Sequence, residues 1–184
     1  VPTAVSPLPT PVSPLPTPPA TGSWRGNLAG YKFDGTTITS TTGGAILWNQ
    51  AYGRDQLVSV RIKQLDRQSN KLGLVLLSQS ADSIGDGAVE VEYVPRLGVM
   101  RIWMLADGRW FRIGDDYEVA LGSGDRLAAQ VVADTLTVVV NGSVVFWRVL
   151  DPWRFDPTPG GYTGLTSDGG TNVFGEFRGG TLTQ

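Results

Sequence analysis

The chain of 184 residues contains no cysteine and no histidine. The first absence excludes disulfides and thiolate metal sites, and it leaves cysteine usage silent about compartment. The second removes the usual general base, every catalytic triad that depends on imidazole, and the commonest ligand of zinc, copper and nickel. An excess of positive charge is also missing: 15 Lys and Arg stand against 17 Asp and Glu, a formal net charge of −2. Nucleic-acid binders carry a basic footprint, so neither DNA nor RNA is an expected partner. No apolar run approaches the ~20 residues that carry a helix across a bilayer, and membrane insertion is not expected.

Proline is plentiful but unevenly placed, with eight of the 12 prolines in the first 22 residues. There Val5-Ser6-Pro7-Leu8-Pro9-Thr10-Pro11 is followed at once by a copy, Val12-Ser13-Pro14-Leu15-Pro16-Thr17-Pro18. Proline fixes φ and removes backbone donors, so residues 1–22 read as an extended polyproline arm or linker with a rise of about 3.1 Å per residue. Ser/Thr/Pro-rich stalks of this kind commonly join modules outside the cell, and a secreted or cell-surface protein is the expectation. A start at Val1 fits removal of an export leader and equally fits excision from a longer protein. The repeated apolar pairs Val5/Leu8 and Val12/Leu15 are candidate anchors by which the arm docks on an identical subunit.

Residues 23–184 read as one domain, large enough to fold without staples. From Trp24 onward β-branched and aromatic residues recur with period two between turn residues, and helical periodicity is absent. Strands are expected at 31–33, 36–39, 45–48, 56–65, 71–79, 88–94, 99–106, 109–113, 126–133, 135–140, 143–150, 161–165 and 172–178. Two hairpins pair through Asp107-Gly108 and Asn141-Gly142, dipeptides suited to the positive φ of type I′ turns. The first sets Met104 opposite Phe111 and Ile102 opposite Ile113 on the core side, with Arg101, Trp103, Trp110 and Arg112 together on the other. The second is expected to set Val138 with Val145 and Leu136 with Trp147 on one face, and Val139 with Val144 and Thr137 with Phe146 on the other. Both faces being apolar, this predicts a central pair covered on both sides. So many short strands suit two stacked antiparallel sheets, an all-β jelly-roll sandwich. Its core should include Val58, Val60, Ile62, Leu74, Val91, Ile102, Met104, Phe111, Leu127, Val138, Val145 and Trp147.

The succession Ala45-Ile46-Leu47-Trp48-Asn49, Gly53-Arg54-Asp55-Gln56-Leu57-Val58, Gly73-Leu74-Val75-Leu76-Leu77, Val89-Glu90-Val91-Glu92-Tyr93, Gly124-Asp125-Arg126-Leu127, Val138-Val139-Val140-Asn141-Gly142 and Gly160-Gly161-Tyr162-Thr163-Gly164-Leu165 resembles a concanavalin A-like, laminin-G-like jelly-roll module of bacterial surface proteins. The resemblance runs from about residue 24 to 180, and its motifs are structural. It implies a secreted β-sandwich, often carbohydrate-binding, sometimes enzymatic.

Four candidate chemistries follow. Glu90-Val91-Glu92 is similar to part of the Glu-x-Asp-x-Glu strand of laminarinase-type glycosidases, but Val94 stands where a third acid would be, and glutamates on the wet face of a strand are ordinary. Trp103 and Trp110 with Arg101 and Arg112 offer indole faces for pyranose stacking and guanidinium donors for hydroxyls; the alternatives are a cross-strand cation–π pair, cover by a loop, or a protein interface. Asp82, Asp86, Asp115 and Asp116 are loop carboxylates hard enough for calcium, the one cofactor left open, though turn chemistry also accounts for them. The Asn141-Gly142-Ser143 sequon reads as a turn rather than a glycosylation site. The expected function is a non-catalytic, lectin-like module for extracellular attachment or assembly, with a glycan or surface polymer as partner. A structural subunit of a filament or coat, joined through the arm to identical copies, is the first alternative, and a glycoside hydrolase-like enzyme the second.

Overall fold

A computed structural model of the chain describes residues 24–150 and 159–182. The proline arm, with Val5, Leu8, Val12 and Leu15, lies outside the described residues. Among the described residues fifteen strands form two antiparallel sheets, beside one short 3-10 turn (Leu28–Gly30), so the all-β sandwich expected from alternation is what the chain adopts.

The eight-stranded sheet contains β1 (Trp24–Gly26), β4 (Gly43–Trp48), β14 (Tyr162–Asp168), β6 (Lys71–Ser78), β7 (Val89–Val94), β8 (Val99–Ala106) and β10 (Tyr117–Glu118) in that order, with β9 (Arg109–Arg112) also on β8. The seven-stranded sheet runs β13 (Ser143–Val149), β12 (Thr135–Val140), β11 (Arg126–Val132), β5 (Gln56–Gln64), β15 (Val173–Thr181), β3 (Thr37–Ser40) and β2 (Tyr31–Asp34). The core lies between them. Val58, Val60 and Ile62 from one sheet meet Leu74, Val91 and Ile102 from the other, all fully buried, and Leu127 and Val138 join them. Phe111 is half-buried. Each open end of the sandwich is closed by aromatics. Trp24 packs edge-on against Trp48 and Phe177, with ring centroids 5.2 and 4.7 Å apart, and Tyr117 meets Phe146 at 4.6 Å.

Buried polar groups are tied by side chains that cross between segments. Gln56, fully buried, donates from Nε2 to the Gly161 carbonyl at 2.9 Å and accepts the Leu77 N–H at 2.9 Å. Leu77 needs that partner because its φ of 60° breaks the regular ladder of β6.

The first hairpin has the expected register. Met104 faces Phe111, Leu105 faces Trp110, Trp103 faces Arg112, and the Ile113 N–H reaches the Ile102 carbonyl at 2.9 Å. The second does not. Its turn forms as expected, Asn141 and Gly142 standing at φ 51° and 85°, and Val139 faces Val144. The ladder then slips, so that Val138 faces Phe146, Thr137 faces Trp147 and Leu136 faces Arg148. Val145 is the extra residue of a β-bulge. A one-residue slip sends every later side chain to the opposite face, so Phe146 takes the core position assigned to Val145. Val145 and Trp147 are exposed instead, at 36% and 59%. The pair is not central either, since β13 is an edge strand.

Candidate functional site

Glu90, Glu92, Arg101, Trp103, Trp110 and Arg112 all lie on the outer face of the eight-stranded sheet, because Val89, Val91 and Tyr93 on β7 and Met100, Ile102 and Met104 on β8 take the inward positions. Register sets Glu92 opposite both Arg101 on β8 and Gly73 on β6, and Glu90 opposite Trp103 and Val75. The four residues read from the first hairpin are thus joined by two carboxylates of the neighbouring strand.

The cluster forms a ladder of alternating charge across the strands. Lys71 Nζ lies 2.8 Å from Glu90 Oε1 and 3.7 Å from Glu92 Oε2. Glu92 Oε1 is 3.7 Å from Arg101 Nη1, and Arg101 grips Asp116 with a fork, Nε to Oδ1 at 2.9 Å and Nη2 to Oδ2 at 3.2 Å. Arg112 donates to the same Asp116. Three cations therefore face three carboxylates, over the three inter-strand steps from β6 to β9, a span of about 14 Å at ~4.8 Å per step.

Glu90 and Glu92 are not the solvated pair that alternation suggests; they are 2% and 9% exposed. Gly73 explains why. With no side chain on β6 at that level, Thr166 of β14 reaches across the strand and donates its hydroxyl to Glu90 Oε1 at 2.7 Å, and Lys71 of β6 donates to the same oxygen. A Cβ on Gly73 would come 2.8 Å from Thr166 Oγ1 and 2.6 Å from the Val91 carbonyl oxygen. The sequence does not single out Lys71 or Thr166, and it marks Gly73 only as part of a structural motif. Lys71 and Gly73 were reachable in principle, since they alternate in phase on one strand, but nothing local announces which strands flank it.

Burial and neighbouring charge compete at Glu92 and Lys71. Burial pushes the Glu92 carboxyl above its ordinary value, outweighing the attraction of Lys71 and Arg101. Burial acts against the Lys71 ammonium as well, yet Glu90, Glu92 and Asp168 together raise its pKa. Asp116 titrates below the ordinary carboxylate range, chiefly through the Arg101 hydrogen bonds. The Trp103 indole N–H is buried outside hydrogen-bond geometry to any acceptor, but it faces Glu92 and helps to hold its charge.

Beside this polar strip the face is partly roofed. Ile84, in the connection from β6 to β7, packs on Leu47, Val75, Ala88 and Leu105. The connection is pinned by the Gly87 N–H on the Leu105 carbonyl and by Asp86 accepting the Gly108 N–H at 2.9 Å. Among the described residues cover stops there: Trp110, paired with Leu105, is 42% exposed, and Trp103 is half-buried. The two indoles are diagonal neighbours on β8 and β9, with Arg112 facing Trp103.

Three of the four loop acids are engaged individually. Asp82 lies 3.6 Å from Arg25, Asp86 caps the Gly108 amide, and Asp116 is held by two arginines. Among the described residues no group of three or more His, Cys, Asp or Glu is placed to hold a metal ion.

No known family profile matches the chain, and no curated protein matches it in sequence. Solved structures do. The carbohydrate-binding module CBM66 from Bacillus subtilis superposes with a TM-score of 0.66 at 14% identity, over 86% of this chain and 96% of that one. A Bacillus subtilis protein of unknown function with a galectin-like fold gives 0.63 at 10% identity, over 88% and 89%. The alginate lyase AlyC3 gives 0.53 at 9% identity, over 80% and 75%. At these identities the likeness is one of fold: a β-sandwich of the concanavalin A-like jelly-roll type shared by binding modules and enzymes. The finer laminin-G-like resemblance has no counterpart among these findings.

Proposed function

We propose that the chain is a non-catalytic glycan-binding module acting outside the cell, with the outer face of its eight-stranded sheet as the binding surface. The observation that carries this reading is the juxtaposition of an exposed indole, Trp110, and a half-buried one, Trp103, with a strip of alternating donors and acceptors from Lys71 to Arg112 and Asp116. A pyranose presents an apolar face to an aromatic ring and hydroxyls around its rim that both donate and accept. Indoles beside guanidinium and carboxylate groups answer both demands. Three cations against three carboxylates leave no excess charge, which suits a neutral sugar. Likeness to a carbohydrate-binding module supports the reading at the level of fold.

Burial argues against hydrolysis. A general acid or nucleophile must reach the glycosidic bond, yet Glu90 is 2% exposed and held by Lys71 and Thr166. Arg112 and Lys71 are better placed: both are partly exposed and keep donors beyond those used on Asp116 and Glu90.

A glycan array probed with the whole chain tests the proposal. Binding should be weak, since an open platform recovers little more than the cost of immobilising one or two rings. It should be lost in a Trp103→Ala/Trp110→Ala double variant that keeps its fold. Unchanged binding in that variant, or release of reducing sugar that Glu90→Gln abolishes, defeats the reading.

A further inference from the structure

The seven-stranded sheet has an outer face of its own, and charge of one sign gathers there. On β5, Val60 and Ile62 are fully buried, so Arg61 and Lys63 point outward. Arg126 of β11 stands directly opposite Arg61, and Arg178 of β15 stands opposite Ser59, the next outward position on β5. Like charges directly opposite in a sheet repel. Among the described residues one carboxylate answers them: Glu176, which pairs with Arg61 at 2.9 Å and with Arg126. It does so from the left-handed region, φ 50°, where the ladder between Gly175 and Arg178 is irregular. That conformation is unfavourable for a side chain of this size. Lys63 lies along the sheet over Gly175, where a Cβ would come 2.6 Å from Lys63 Cε. Among the described residues neither Lys63 nor Arg178 has a carboxylate within ion-pair distance, and both are exposed.

These three strands thus carry four outward cations against one carboxylate, on a chain whose net charge is −2. The asymmetry is a property of this face and not of overall composition. We propose that the face binds an acidic polysaccharide, its carboxylates or sulfates received by Arg178 and Lys63, with Arg61 and Arg126 sharing Glu176 with the ligand. Guanidinium forks match carboxylate and sulfate geometry. Neighbouring cations on adjacent strands, or two residues apart on one, stand about 5 to 7 Å from each other, the scale of one sugar ring. A polysaccharide is favoured over nucleic acid because no aromatic occupies an outward position on β5, β11 or β15 to stack a base. The surface lies on the opposite side of the sandwich from the neutral-sugar face, and it takes a ligand of different charge.

Affinity electrophoresis of the whole chain in gels containing polygalacturonate tests the inference, with fully methyl-esterified polygalacturonate as the uncharged control. Retardation is expected with the acid form only, decreasing as salt rises. A Lys63→Gln/Arg178→Gln variant should bind about tenfold more weakly, and Lys63→Arg/Arg178→Lys should retain binding. Equal retardation by the ester, an unaltered affinity in the double glutamine variant, or tighter binding to duplex DNA at matched charge would each overturn it.

Discussion

Lys71→Met is the perturbation that most directly probes why two glutamates can sit beneath the surface of a sheet. At 2.8 Å the Lys71–Glu90 attraction is about 6 kcal/mol for an effective dielectric of 20, most of it offset by the desolvation of both groups. Removing one partner of a fully buried pair costs 3–5 kcal/mol, because the charge left behind has neither water nor counter-ion. Here the Glu90 side chain is 3% exposed and Lys71 is 30% exposed, and Glu90 keeps the Thr166 hydroxyl. The expected loss is therefore about 2–3 kcal/mol, or roughly 5–10 °C in Tm for a domain of this size. Glu90→Gln leaves Lys71 free to turn its ammonium to water and should cost only about 1 kcal/mol. Denaturant melts of both single variants and the double variant measure the asymmetry, and the double should recover much of the Lys71→Met deficit. Equal costs for the two single variants, or a loss under 0.5 kcal/mol for Lys71→Met, would refute the account of Glu90 as a buried, lysine-dependent charge.

Three further outcomes follow from the same geometry. Glu92 has its pKa raised in the fold, so it favours folding at pH below its ordinary value, and that contribution is lost as pH rises through the raised value; Glu92→Gln should therefore gain stability relative to the native chain between pH 4 and 7, as thermal melts across that range will show. Gly73→Ala should cost about 1–3 kcal/mol, since the new methyl meets a backbone carbonyl at 2.6 Å, and it should displace Thr166 from Glu90. Trp147→Ala should change stability by less than about 1 kcal/mol, whereas Trp48→Ala, 5% exposed against 59%, should cost about 3–5 kcal/mol by urea titration.

The parts of the fold that were legible in the sequence are those with a local signal. Asp107-Gly108 fixes the first hairpin because a two-residue turn sets the register of the strands beside it, and the pairs from Trp103 to Arg112 follow. The second hairpin has an equally good turn but no phase signal beyond it. Val144-Val145-Phe146-Trp147 is apolar at every position, so a slip at Val145 leaves the pattern looking as hydrophobic as before. Two short strands, Trp24–Gly26 and Tyr117–Glu118, carry no such signal, both being too brief to show alternation. The first follows immediately on the proline-rich stretch, and its Trp24 seals one end of the core.

The candidate site divides along the same line. Arg101, Trp103, Trp110 and Arg112 share one face by the rule of two on a single hairpin, and the structure keeps them together. Lys71 and Thr166 enter only through the strand order β14-β6-β7, and the Thr166–Glu90 bond joins residues 76 apart in sequence. Alternation reports which face a side chain takes, and it is silent on what lies over that face. Glu90 and Trp147 show the two ways this matters. Alternation puts Glu90 on the correct face and reads it as wet, yet a missing side chain at Gly73 lets two neighbouring strands close over it. Trp147 reads as buried because it is apolar, yet the bulge turns it outward on a strand that is an edge among the described residues. Coverage is a non-local property, set by strand order and by where glycines open space. For that reason the Lys71 and Thr166 contacts that close over Glu90, and not the indoles or their arginines, are the part of this site that required the structure.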